Sequence, residues 1–327
     1  MKENLKLFIV VGLCLADSVC GASDNVRSWK TESLTAAEKA CLEHAARMWI
    51  GKLWTNDYSR CQARFDARRY NYSPWTTHVD IEFRLNGKLC KCQFRDKNPD
   101  KLALVRNDLY AQTICHASEK THEPVYTTEE QARARAAEYA TLFGVSNLWD
   151  TSKFIPFNTV FNPSDDCWEY GLWPIRNGFL CPYGIHVSIA DLPGAPLYMW
   201  HNVMSTIPPE LPTNVVLTAE QARVKALEYM AKYFPYKEAA LYKGQTLEKG
   251  DVPEMKCYTN RLEYVIPNYN YIRPAPGKGG LSDYVAKKFE IALAWVNYLG
   301  TPKNSKYNIG ATIYVDAATG EMLGGTD

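Results

Sequence analysis

One stretch of this chain occurs twice. Thr128 to Tyr139 reads TEEQARARAAEY, and Thr218 to Tyr229, 90 positions later, reads TAEQARVKALEY, with eight of twelve positions identical. Shared helix composition gives few such matches, so the two segments read as a duplication, and the fold must build one local unit more than once. Each segment opens on a threonine with glutamine three residues on, the pattern in which hydroxyl and side-chain amide satisfy each other's free backbone groups at a helix start. Behind these caps Ala132, Ala136, Tyr139 and Phe143, and likewise Ala219, Ala222, Ala226, Met230 and Tyr233, recur at three- and four-residue spacing. The spacing predicts one apolar stripe per helix, packed on a sheet, over about 128–143 and 218–234.

A weaker third copy stands near the N-terminus, where Leu34, Thr35, Ala36, Ala37 and Glu38 repeat the cap. Its apolar side is read as Ala37, Ala40, Cys41, His44, Ala45 and Met48, with His44 a core histidine. Strand-like sequence follows each helix. Val79, Ile81, Phe83 and Leu85 alternate with polar residues, Asn86 and Gly87 give a two-residue turn, and Cys90, Cys92 and Phe94 alternate again. Counting outward from that turn pairs Leu85 with Lys88, Phe83 with Cys90, Ile81 with Cys92 and Val79 with Phe94. Every copy closes on an aspartate, a tight turn and a short apolar run: Phe94 to Val105, Ile189 to Trp200, and Tyr314 to Gly325. Asp96, Asp191 and Asp316 are therefore read as turn residues. The expected fold class is α+β, in tandem modules that each pack an amphipathic helix on an antiparallel sheet.

A capped, alanine-rich helix, hairpin strands and a terminal VDAATGEMLGG resemble the PepSY family of exported modules. Three such modules would occupy 23–124, 125–215 and 216–327, the first divergent. Asp100 and Ala195 stand where the family usually has glycine, as the third copy does at Gly320. The resemblance implies a non-enzymatic binding or regulatory role, with a peptidase or other envelope protein as partner, and it transfers no catalytic motif.

Lys2 and Lys6, an apolar run from Leu7 to Ala16 and the small-residue segment Ser18 to Ala22 have the three-part plan of a secretory signal peptide over 1–22. The expected location is periplasmic or secreted. A lipoprotein-type cut before Cys20 finds Asp17 where an aliphatic residue is wanted. No other apolar run approaches spanning length, so no transmembrane segment is expected. With 37 Lys+Arg against 36 Asp+Glu, nothing in the charge balance favours nucleic acid. Cleavage after Ala22 leaves Cys41, Cys61, Cys90, Cys92, Cys115, Cys167, Cys181 and Cys257, an even count that permits disulfides. Cys41 on the first helix stripe and Cys90 and Cys92 on the facing hairpin predict one helix-to-hairpin bridge.

No catalytic constellation is legible. His122 and Glu123 are followed by Pro124, and Tyr126 stands where a zinc-protease helix needs its second histidine. Gly277 to Gly280 lacks the threonine or serine of a phosphate loop and reads as a linker. No cofactor or metal is called for. The nine tryptophans keep a sugar-binding alternative open, through Trp149, Trp168, Trp173 and Trp200, beside that of a secreted hydrolase.

Overall fold

The cap signals form the helices they predict. The Gln131 amide donates to the Thr128 hydroxyl while the Thr128 N–H donates to the Gln131 side chain, opening α2 (Glu129–Leu142). Thr218 and Gln221 repeat the exchange ahead of α3 (Ala219–Tyr233). Thr35 and Glu38 do so ahead of α1 (Ala36–Leu53). The computed structural model describes residues 29–70, 77–110, 123–163, 165–182, 184–202, 207–233, 254–267, 291–305 and 310–326. The leader at 1–22, Cys115 and the 277–280 stretch lie outside them. Among the described residues no helix is long and apolar enough to cross a membrane.

The chain divides into two compact units, Met1–Pro174 with Tyr183–Thr206, and Ile175–Pro182 with Ile207–Asp327. In the first, β1 (Trp29–Thr31), β2 (Arg64–Tyr70), β3 (Thr77–Leu85), β4 (Lys88–Arg95) and β5 (Leu102–Asn107) are antiparallel neighbours in that order. The β3–β4 hairpin has the register counted from its Asn86–Gly87 turn, with Phe83 opposite Cys90 and Val79 opposite Phe94. Beyond β5 the sheet continues through β10 (Leu197–Asn202), β9 (Ile185–Ala190) and β7 (Cys167–Arg176), with β6 (Phe154–Asn162) on β7. In the second unit β8 (Phe179–Leu180) pairs parallel with β11 (Lys256–Val265), and β12 (Ala292–Gly300), β13 (Gly310–Asp316) and β14 (Met322–Thr326) follow antiparallel.

This corrects the expected fold class. Among the described residues three helices stand against fourteen strands, and the first two copies share one continuous sheet instead of building one each. The reason lies in the seam between β5 and β10. Val105 and Trp200, each nine residues past its closing aspartate, pair directly, and Met199 with Arg106 and His201 with Leu104 flank them symmetrically. The last strands of the first and second copies thus meet as equivalents about a local pseudo-twofold axis. Their helices share one core as well: Leu42, Ala46 and Ile50 of α1 and Ala132, Ala136 and Tyr139 of α2 belong to the same buried cluster. The Trp54 indole, at the end of α1, donates to the Leu197 carbonyl of β10 at 2.8 Å. Trp49, Phe143 and Trp200 stack in series, with centroids 5.0 and 4.6 Å apart. Two half-cores closed by shared aromatics bury more apolar surface than either alone.

The buried face of α1 is also corrected. It consists of Leu42, Ala46, Ile50 and Leu53, whereas Cys41, His44 and Met48 are exposed. Alanines on several sides of this helix left its stripe ambiguous. The larger leucine and isoleucine side chains decide it, because they gain more by leaving water.

Candidate functional site

Each closing aspartate turn braces the segment that leads into its helix. The Asp191 carboxylate is 1% exposed and accepts backbone N–H bonds from Val125 (2.8 Å), Tyr126 (3.3 Å) and Thr127 (2.7 Å). The Trp168 indole then donates to the Thr127 carbonyl. In the third copy Asp316 spends its carboxylate on its own turn, accepting from Ala318 and Thr319. There the Ala317 carbonyl accepts from Val216 and Leu217 instead. Trp295 donates to the Leu217 carbonyl at 3.0 Å, as Trp168 does one copy earlier. Asp191 thus does more than the expected turn chemistry. The bracing holds two short apolar pairs outward at equivalent positions: Val125 and Tyr126 are 61% and 59% exposed, Val215 and Val216 41% and 64%.

The four candidate tryptophans form no common platform. Trp200 is buried against Phe143. Trp149 is half-buried, with the Arg133 guanidinium 4.6 Å from its ring centre and Tyr170 edge-on. Trp173 stacks on Phe157 at 4.6 Å, and Trp168 meets Phe161 edge-on. Each ring has its own neighbour. The cysteines are not brought together either: Cys41 faces solvent on α1, while Cys90 and Cys92 are wholly buried, and all three are free thiols. The expected bridge is absent because the first helix turns a different face inward. Burial pushes the Cys90 thiol up to about 12. A small alkylating reagent added to native protein is accordingly expected to modify Cys41 rapidly and Cys90 and Cys92 only after unfolding, as read by peptide mass mapping. Protection of Cys41 in native protein would restore the bridge.

Sequence reasoning missed a polar cluster on the sheet face opposite the helices. Along an extended strand, residues two apart share a face, so Cys167 and Glu169 project together at the start of β7, and Asp165 joins them from the turn before it. One ligand atom from each lies within 4.8 Å of the others. Cys167 Sγ is 4.0 Å from Glu169 Oε1, and Asn162 Nδ2 donates to that same oxygen at 2.7 Å. His186 of β9 sits opposite Gly171, and its Nε2 is 3.9 Å from the other Glu169 oxygen. The Phe157 ring lies over Gly171 so closely that a Cβ there would meet it at 2.5 Å. Burial, with Glu169 beside it, raises the Asp165 carboxyl, and burial with the three neighbouring carboxylates raises the Cys167 thiol. The Asp-x-Cys-x-Glu alternation was visible in the sequence. The approach of His186, 17 positions further on, to Glu169 was not.

A scan against protein-family models and a search of curated proteins find no match to this chain. The site is therefore read from its own geometry.

The same sheet face carries a second buried histidine with a measurable consequence. His78 of β3 is largely buried opposite Arg95, with Asp96, Lys91 and His201 also acting on it. Burial first, then the Arg95 charge, lowers its pKa from 6.5 to about 3. The unfolded chain binds a proton near pH 6.5 that the folded chain refuses until about pH 3, so stability is complete above that window and declines as pH falls through it. The slope from this one group is at most about 1.4 kcal/mol per pH unit. Urea unfolding of His78→Gln between pH 7 and 4.5 is expected to show a shallower decline than the parent protein. Parallel curves would remove His78 from the account.

Proposed function

We propose that the chain is an exported, non-enzymatic binding or regulatory protein built from PepSY-like repeats. Its partner is a peptidase or another envelope protein, met in the periplasm or outside the cell. The observation that carries this reading is the paired display of Val125–Tyr126 and Val215–Val216. Scattered exposed apolar residues need no explanation. These four recur at the same place in two copies of one repeat, on backbone held by an aspartate turn in each. A braced extended segment with outward apolar side chains suits contact with another protein, because little order remains to be imposed on binding. The four tryptophans, each occupied by its own aromatic or cationic neighbour, favour a protein surface over a sugar platform.

The test is capture of partners from the native envelope by the full mature protein and by Tyr126→Asp and Val216→Asp. Those side chains point into solvent, so unchanged melting temperatures are expected. The parent protein should retain a specific envelope protein that one or both variants lose. Equal capture by all three, or turnover of a generic ester or peptide substrate by the purified protein, defeats the reading.

A further inference from the structure

We propose that the first unit carries an acid-operated release, in which protonation of His78, His186 and His201 parts the β5–β10 seam. It stands independently of the partner-binding reading. These are three of the chain's six histidines, they share the sheet face away from the helices, and the second unit contains no histidine at all. His186 and His201 are direct cross-strand partners on β9 and β10, and Leu104 of β5 stands opposite His201 across the seam. Beyond β5, Arg95 of β4 is 2% exposed, stands opposite His78 and donates to the Asn202 carbonyl of β10 at 3.0 Å. One buried cation thus already spans the seam, and both His78 and His201 feel its charge.

The charges around the three rings are unbalanced. His201 faces Arg95, Lys91 and His186, all cationic or able to become so. His78 stands opposite Arg68 of β2 and feels Arg95, Lys91 and His201, with Asp96 acting the other way. His186 has Glu169 at 3.9 Å, yet its Nε2 has no accessible surface and no hydrogen-bond partner among the described residues. The other carboxylates of this face have cations of their own: Lys91 holds Asp80 at 2.6 Å, Arg68 holds Asp66, and Arg106 holds Asp108 at 2.6 Å. A proton on any of the rings is therefore a buried charge with little to offset it. Burial first, then the neighbouring cations, brings His201 down to about 4 and His78 to about 3, and burial lowers His186 against the pull of Glu169. The opened chain binds these protons at the ordinary 6.5, so the closed seam is fully favoured above that pH and loses ground as pH falls towards 4. Asp165, raised by burial, works the other way, as one group against three. In the second unit burial raises Glu263 likewise, with no histidine to oppose it.

Hydrogen exchange of the full mature chain, followed by mass spectrometry from about pH 6.5 to 4.5 and corrected for the pH dependence of free-amide exchange, reads the opening of each strand. One histidine contributes at most about tenfold in the opening constant per pH unit. Peptides from β5, β9 and β10 should therefore open about a hundredfold more at pH 5 than at pH 6, whereas those from β12 and β13 should change less than about tenfold. Return to neutral pH should restore protection. His201→Gln and His186→Gln should each cut the rise by up to about tenfold, and the triple variant with His78→Gln should abolish it. His44→Gln, on the exposed face of α1, should leave it unchanged. Circular dichroism at neutral pH establishes that each variant is folded; where one is not, the comparison of the two units in the parent protein decides. The proposal is overturned if the two units respond alike, or if the seam strands keep their protection at the acid end of the range. It is equally overturned if lost protection does not return, or if a folded triple variant opens as the parent does.

Discussion

Replacing Asp191 by alanine is expected to destabilise the first unit by about 3–4 kcal/mol. Its buried carboxylate is the shared acceptor for three consecutive backbone N–H groups, of which that of Thr127 lies deepest. Removing an acceptor from a buried donor costs about 1–3 kcal/mol, and bonds to a charged group stand at the upper end of the scale. Water can reach the Val125 and Tyr126 amides more easily than that of Thr127, so the sum stays below three full penalties. Asp191→Asn keeps one oxygen and should lose about half as much. Asp316→Ala, where the carboxylate serves only two amides of its own turn, should cost about 1 kcal/mol. Urea unfolding of the three variants gives the ranking directly. A loss below about 1 kcal/mol for Asp191→Ala would show that the lead-in is held by Trp168 and the cap without the aspartate.

Trp200→Ala should be still more damaging, at about 4–5 kcal/mol. Truncation of a buried aromatic costs roughly 3–5 kcal/mol, and a stacked pair adds about 0.5–1.5 kcal/mol. Trp200 is buried and stacked on Phe143, which in turn meets Trp49, so the cavity would open where both helices approach β10. Trp200→Phe should recover most of the loss by keeping the stack. Val105→Ala, across the strand pair from it, should cost about 1–2 kcal/mol. The measurement is the unfolding transition of the first unit. Equal midpoints for Trp200→Ala and the parent protein would mean that the seam is not where its stability resides.

What could be read in advance was local. Thr128 with Gln131, and Thr218 with Gln221, announce helix starts because capping involves groups three residues apart, and the Asn86–Gly87 turn fixes its hairpin register for the same reason. The face of α1 was misread because Ala37, Ala40 and Ala45 mimic a stripe that Leu42, Ile50 and Leu53 actually make. That one rotation carried the false disulfide with it. The pairing of β5 with β10 has no local signature at all: each strand reads as a plausible edge of its own small sheet. Cys167 and Glu169 alternate along one strand, but only β9 brings His186 up to Glu169.

The symmetric seam has a consequence for how the chain acquires its structure. Val105 and Trp200 stand about 95 positions apart, so neither the final core nor its aromatic stack can exist until two separately formed hairpins find each other. Such long-range closure is entropically expensive before it yields any contact, and it slows folding. Until that encounter, β5 and β10 each offer a row of bare amides and carbonyls, the kind of surface that recruits strands from other molecules. A nascent or proteolytically halved chain would carry that surface permanently. The duplication that supplies each half with its natural partner also makes each half, alone, a seed for self-association.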